Sequence, residues 1–269
     1  MGNAVLIILA LILVAILWVA GGSFIQQPAA PNIGPSDEES IDKEASAESL
    51  AAPEVRLIKI YSANSRAADP QEEYIELQAD YANTVPINIT GWRLKNRKEN
   101  VFIIPTASGL PYSARVNIQE NIVLKPGEKA VVVTGQSPIG TSFKPNLCTG
   151  YFNRLYEFRP ALTENCPSPH KEEGVDAQDN ACFSYLKNLR GCQTPDPADI
   201  PSDADFQCRE FIDQRLNYAA CVEAHKKDDG FFDNEWRVYL EKTQEIWSDI
   251  RENIKLSDQN SNLIAETSI

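Results

Sequence analysis

Residues 72–80 read EEYIELQAD, and residues 87–95 read INITGWRLK. In the first stretch Ile75, Leu77 and Ala79 fall on one side, with Tyr74, Glu76 and Gln78 on the other. A period of two marks a strand with one face buried. In the second, Ile87 and Ile89 alternate with Asn88 and Thr90. The apolar set then moves to Trp92 and Leu94, while Arg93 and Lys95 take the polar side. One extra residue at Gly91 restores the inward face, so a β-bulge is expected there. Upstream, Val55, Leu57 and Ile58 to Ile60 supply a first strand. Downstream, Val101 to Ile104 form another strand closed by Pro105, Leu124-Lys125-Pro126-Gly127 is a turn, and Ala130 to Thr134 form a buried strand. Short strands separated by Pro and Gly, without a competing helical period, predict a sandwich or barrel.

The β pattern then stops and later resumes. Residues 148–233 hold all six cysteines and two helical stretches, Asp179 to Arg190 and Asp205 to about Ala224. Asp203 or Asp205 can cap the second helix, Gly191 can end the first, and Pro195, Pro197 and Pro201 separate them. After this region Trp236 to Leu240 alternate again, and Ile254, Leu256 and residues 263–269 read as a closing hairpin. Two or three terminal strands cannot form a stable sheet alone. The economical reading is a mostly β protein, in which residues 54–147 and 234–269 build one sandwich and residues 148–233 are a cysteine-rich helical insertion.

An even set of clustered cysteines, Cys148, Cys166, Cys182, Cys192, Cys208 and Cys221, reads as a disulfide framework in an oxidising compartment. If the two helices are antiparallel, nested pairing is expected: Cys182 with Cys221, Cys192 with Cys208, and Cys148 with Cys166 by exclusion. Short helices bury too little to be stable alone, so each bridge is worth ~2–4 kcal/mol. The compartment is set by residues 4–25, a transmembrane anchor or signal segment that includes an uncharged run from Ala4 to Ala20. Its length favours an uncleaved single-pass anchor in the cell membrane with the folded part extracytoplasmic, or secretion if it is cut. Residues 26–53, rich in Ala, Pro, Ser and acid, are expected to be a disordered acidic linker. The net charge of −13 argues against nucleic-acid binding, which needs a basic footprint.

The runs EYIELQAD, INITGWRLKN, ENVFIIP and VLKPGEKAVVVTG, in this order, resemble the lamin-tail domain. The matching positions are Glu73, Ile75, Glu76 and Leu77; Ile89, Gly91, Trp92 and Leu94; Phe102 and Pro105; Leu124, Pro126 and Gly127. The ending IKLSDQNSNLIAETSI resembles the family's last hairpin, with Asn260 to Asn262 standing where a Gly is usual. Gln78-Ala79-Asp80 likewise replaces a frequent Asn after the E-L pair. The resemblance implies an immunoglobulin-like sandwich that serves as an interaction domain. Bacterial members occur on exported and surface proteins, sometimes beside nuclease or phosphoesterase domains, for which this chain leaves no room.

Candidate sites are weighed against plainer readings. Trp92 and Trp236 share faces with apolar neighbours and are expected in the core, whereas Trp247 lies outside any pattern and is the better candidate for an exposed contact. Arg93, Lys95 and Arg97, with Lys98, could offer an anionic ligand a cationic face, or simply a solvated sheet edge. Glu73 and Glu76 have odd spacing and cannot act from one strand face. Asp228, Asp229, Asp233 and Glu235 around Gly230 miss the calcium-loop ligand order and read as an acidic surface loop. His170 and His225 are too few for a zinc hydrolase, no C-x-x-C pair is present, and no nucleophile elbow or phosphate loop appears. The expectation is a membrane-anchored binding or scaffold protein with a protein or cell-envelope polymer as partner, no cofactor, no metal and no catalytic residues. The alternatives are a small secreted hydrolase or nuclease-associated protein and a purely structural envelope protein.

Overall fold

The computed structural model describes residues 57–269. The expected anchor at 4–25 and linker at 26–53 lie outside the described residues. Among the described residues no helix is long and apolar enough to cross a membrane. The chain is mostly sheet. In order, its strands are β1 (Ile58–Asn64), β2 (Tyr74–Ala79), β3 (Ile87–Asn88), β4 (Arg93–Lys95), β5 (Val101–Ile103), β6 (Val123–Leu124), β7 (Lys129–Val133), β8 (Glu235–Tyr239), β9 (Asn253–Ser257) and β10 (Leu263–Ser268). One sheet has the order β1-β2-β7-β8, a second has β10-β9-β4-β5, and β3 pairs with β6 in a two-stranded ribbon. All pairings are antiparallel except β7 with β8.

The two four-stranded sheets share one core. Ile75, Leu77 and Val132 from the first meet Leu94, Ile254 and Leu256 from the second, and Trp92 and Trp236 pack with them. The late strands β8 and β9 therefore pack against the early ones. Burial along β2 alternates residue by residue, as its sequence does.

Gly91 does more than reset a strand. The Trp92 N–H donates to the Ile89 carbonyl at 3.1 Å, and Gly91 takes φ +78°. This turn carries the chain from the ribbon strand β3 into β4 of the second sheet, so the apolar parity changes because the sheet changes. The expected bulge is thus a turn between sheets. At Lys125-Pro126-Gly127-Glu128 the Glu128 N–H donates to Lys125 O at 2.9 Å, with Gly127 at φ +82°. Pro at the second position and a left-handed Gly at the third are the requirements of a type II turn. Tyr81 lies over Gly127 so closely that an added Cβ would come within 2.4 Å of its ring.

Strands β7 and β8 lack alternation because both of their faces are covered. Their outer face carries Val131, Val133 and Tyr239, which pack with Phe143, Phe158 and Phe231 in a second core. Residues of the cysteine-rich region therefore cover the back of the first sheet. Arg237, 3 % exposed, points into this layer and donates to the carbonyls of Pro160 at 2.5 Å and Ala161 at 3.1 Å.

The helices are α1 (Asn180–Asn188), α2 (Phe206–Arg215) and α3 (Tyr218–His225). Asp179 caps α1 by accepting from the Cys182 N–H at 2.7 Å, and Asp205 caps α2 by accepting from Cys208 at 2.8 Å. The single long helix expected from Asp205 is broken at Leu216, and Asn217 caps α3 by accepting from the Ala220 N–H at 2.9 Å.

All six cysteines are bridged, as Cys148–Cys221, Cys166–Cys192 and Cys182–Cys208. The nested arrangement is not formed. Its premise was one continuous helix, and the break sends Cys221 to Cys148 beside the sheet. Cys182 and Cys208, each three residues after a capping Asp, join the first turns of α1 and α2 within a small third core.

Trp247 is also corrected. It is 3 % exposed and meets Phe102 edge-to-face at 5.9 Å between ring centroids. Its backbone N–H donates to Glu73 Oε1 at 3.0 Å and the Ile246 N–H to Glu73 Oε2 at 2.9 Å. Burial holds the fully enclosed Glu73 carboxyl above the usual range, although these two hydrogen bonds pull the other way.

Candidate binding groove

A groove runs along the seam between the 105–119 loop and the cysteine-rich layer. Its position is set from Asn146, a buried residue in the turn that starts a short 3₁₀ helix, Thr149–Arg154. Asn146 Oδ1 accepts from the Cys148 N–H at 2.9 Å, and its Nδ2 donates to the Tyr218 hydroxyl at 3.2 Å. The Cys148–Cys221 bridge then fixes α3 against this helix. Tyr218, in the first turn of α3, packs on Phe152 with centroids 4.3 Å apart and meets Tyr112 edge-to-face at 5.6 Å.

The opposite wall is the tip of the 105–119 loop. The Asn117 side chain holds Tyr112 from both ends: its Oδ1 accepts from the Tyr112 N–H at 2.7 Å, and its Nδ2 donates to the Tyr112 carbonyl at 2.9 Å. Ala114 sits at φ +58°, a left-handed conformation rare for a residue with a Cβ, and it is held by this closure. The guanidinium of Arg115 lies 5.5 Å from the centroid of the Tyr112 ring.

Between these walls is a cavity of about 530 Å³, within the size range of ligand sites. Arg115, Arg154, Tyr151, Tyr218, Thr194 and Asn217 contribute to it, and among the described residues its lining includes no Asp, Glu, His or Cys. Burial pushes the Tyr151 phenol up to about 12, and burial raises Tyr218 as well. Both phenols are therefore protonated at neutral pH, suited to donate hydrogen bonds and unsuited to act as bases. A second cavity of about 640 Å³ continues along the loop past Leu110, Val116, Ile118 and Phe232, and shares Tyr112 and Arg115 with the first. Its one acid, Glu120, folds back over Gly109, where an added Cβ would come within 2.0 Å of Oε1.

The positions singled out from sequence lie elsewhere. Arg93 and Lys95 occupy the solvent side of β4, where Arg93 donates to the Ser261 hydroxyl at 2.5 Å and Lys95 pairs with Glu99 at 2.6 Å. Arg97 and Lys98 are in the following turn, with Arg97 Nη1 donating to Ile250 O at 3.4 Å. The row is thus spread over a strand and a turn, with Lys95 already neutralised. Glu76 pairs with Lys129 across strands at 2.9 Å.

His225 sits between two carboxylates, with Nδ1 2.7 Å from Asp228 and Nε2 3.3 Å from Glu172. Burial opposes its charge, but the bond to Asp228 and the field of Glu172 outweigh burial and raise its pKa. Asp233 is raised by burial. Among the described residues no three His, Cys, Asp or Glu side chains are gathered to hold a metal.

The groove lies outside every candidate position that the sequence singles out. Its sequence signal is the pairing of arginine with an aliphatic neighbour, Arg115-Val116 and Arg154-Leu155, next to the aromatics Tyr112, Tyr151 and Phe152.

No protein-family model, no curated protein and no solved structure matches the chain. The fold and the bridges nonetheless define a class: a β-rich domain with few helices and three disulfides. Bridging of every cysteine points to an oxidising, extracytoplasmic compartment.

Proposed function

We propose that this chain is a membrane-tethered extracytoplasmic binding or scaffolding protein built on a lamin-tail-type, immunoglobulin-like sandwich, and that it is not an enzyme. Residues 4–25 anchor it and 26–53 space it from the membrane. Residues 54–147 and 234–269 form the platform, and 148–233 supply a recognition layer. The observation that carries this reading is the groove at the seam: two arginines and protonated phenols, with no nucleophile–base pair among the described residues that line it. The left-handed Gly91 and the Pro126-Gly127 turn, in the order the lamin-tail pattern requires, support the platform.

The test is capture from solubilised envelope by the full-length chain, before and after reduction. Stoichiometric, saturable retention of a partner that is lost on reduction supports the reading, because the Cys148–Cys221 bridge fixes one wall of the groove. Sustained turnover of an ester, peptide or phosphodiester by the same preparation overturns it.

A further inference from the structure

We propose that the groove takes an extended acidic peptide segment of a partner protein, with its carboxylates on Arg115 and Arg154 and its aliphatic side chains against Val116, Ile118 and Leu155. This deepens the reading of the chain as a binding module and rests on it.

The first argument is charge. The chain carries 38 acidic and 25 basic residues, yet the first cavity is lined by two arginines and no carboxylate among the described residues. Arg115 is engaged by the Tyr112 ring and not by an acid. Guanidiniums so placed match carboxylates in charge and in planar geometry.

The second argument is the apolar pattern. Val116, Ile118 and Leu155 are 101 %, 87 % and 75 % exposed. Each wall sets an arginine beside an exposed aliphatic residue, Arg115 with Val116 and Arg154 with Leu155. A ligand in which acid and aliphatic side chains alternate satisfies both walls together. The two cavities share Tyr112 and Arg115, so an elongated chain fills both while a compact molecule fills one.

The third argument separates a peptide from an acidic polysaccharide. The apolar face of a sugar ring stacks best on a bare aromatic ring, which is itself a large apolar surface. Here the Tyr112 ring has Arg115 against it, Phe152 is packed on Tyr218, and Tyr151 and Tyr218 are 8 % and 9 % exposed. The exposed apolar surface is aliphatic apart from Phe232, 44 % exposed, whose ring meets Phe231 edge-to-face at 5.0 Å. The Asn117 clamp preforms the loop tip, which lowers the ordering cost of binding. The net charge of −13 repels acidic peptides at long range, so only short-range complementarity can yield saturable binding.

The experiment is fluorescence-anisotropy titration of the full chain, held in detergent micelles, with a labelled Glu-Leu-Glu-Ile-Glu-Val peptide blocked at both ends. Saturable binding is expected, weakened about tenfold by replacing every Glu with Gln and by Arg115→Ala or Arg154→Ala. Val116→Asp, an exposed change that leaves the core untouched, is expected to abolish it. Retained near-UV circular dichroism certifies the fold of each variant. Equal affinity for the Gln peptide, unchanged binding by the variants, or preference for an oligogalacturonate probe overturns the proposal. If envelope capture persists in the Arg115→Ala/Val116→Asp variant, the binding-module reading stands and this groove is excluded as its site.

Discussion

Two acidic side chains serve the same end by being buried. Both carboxylate oxygens of Glu73 accept backbone N–H groups from Ile246 and Trp247, and Glu252, 2 % exposed, accepts from Arg97, Ser248 and Asn253. Together they fasten the segment between β8 and β9 to the earlier part of the chain. Glu73→Ala leaves two buried donors without acceptors and is expected to cost about 2–4 kcal/mol in chemical denaturation. Glu73→Gln keeps one acceptor oxygen and is expected to cost less. Equal losses would show that charge, and not acceptor count, matters. In the sequence, Glu73 and Glu76 show only that they face opposite ways, because the partners of Glu73 lie more than 170 positions along the chain. His225 gives a pH signature. Its pKa is raised above 6.5 in the fold, so it contributes stability that is fully present below that value and is lost as pH rises through the raised pKa. Thermal midpoints are expected to fall from mildly acid to mildly alkaline pH, and His225→Gln is expected to flatten that slope. An unchanged slope in the variant would remove His225 as its source.

At the scale of elements, the strands were legible because alternation and turn chemistry agreed: β2 and the Pro126-Gly127 turn are local statements of the sequence. The helices were less so. Leu216 continues the apolar pattern, and nothing local announces that Asn217 will act as a cap and not as an interior residue. The disulfide pairing followed from that error, since connectivity depends on where α3 goes. The bridges are expected to differ in strength. Cys148–Cys221 closes a separation of 73 residues and Cys182–Cys208 one of 26. Chain-entropy arguments give about 4.5 against about 3.5 kcal/mol. The longer bridge also holds α3 on the sheet, so Cys148→Ser/Cys221→Ser should lower the denaturation midpoint more than Cys182→Ser/Cys208→Ser. Loss of this bridge alone should loosen Tyr218, read as increased exchange of the Ala220 amide and of the amide at position 221. The reverse ranking would mean that the small third core, not the sheet-bound one, sustains this region.

For the whole molecule, the issue is whether the cysteine-rich region is an appendage. Two observations pull apart. Its ends are close: Leu147 N–H donates to Phe231 O at 2.8 Å, and Phe143 exchanges backbone hydrogen bonds with Arg237 at 2.8 Å. A tight turn could therefore replace residues 148–230 without altering the order of strands in either sheet. Yet the region covers Val131, Val133, Phe143 and Tyr239 on the outer face of the first sheet and supplies both carbonyl acceptors of the buried Arg237. Excision would bare that apolar face and at once strip Arg237 of both carbonyls, leaving it only its ion pair with Glu235 at 2.8 Å. Topology permits the deletion and energetics oppose it. The plain excision is expected to give a collapsed, dye-binding state that keeps far-ultraviolet but loses near-ultraviolet circular dichroism. Adding Val131→Thr, Val133→Thr and Tyr239→Thr to the same deletion makes the outer face of the sheet polar, and cooperative unfolding is expected to return. If the unmodified deletion unfolds cooperatively at the native midpoint, the layer is an ornament on a complete sandwich. If the polar-faced version also fails, the two sheets do not form a self-sufficient core, and the cysteine-rich layer is as much part of the fold as the strands it covers.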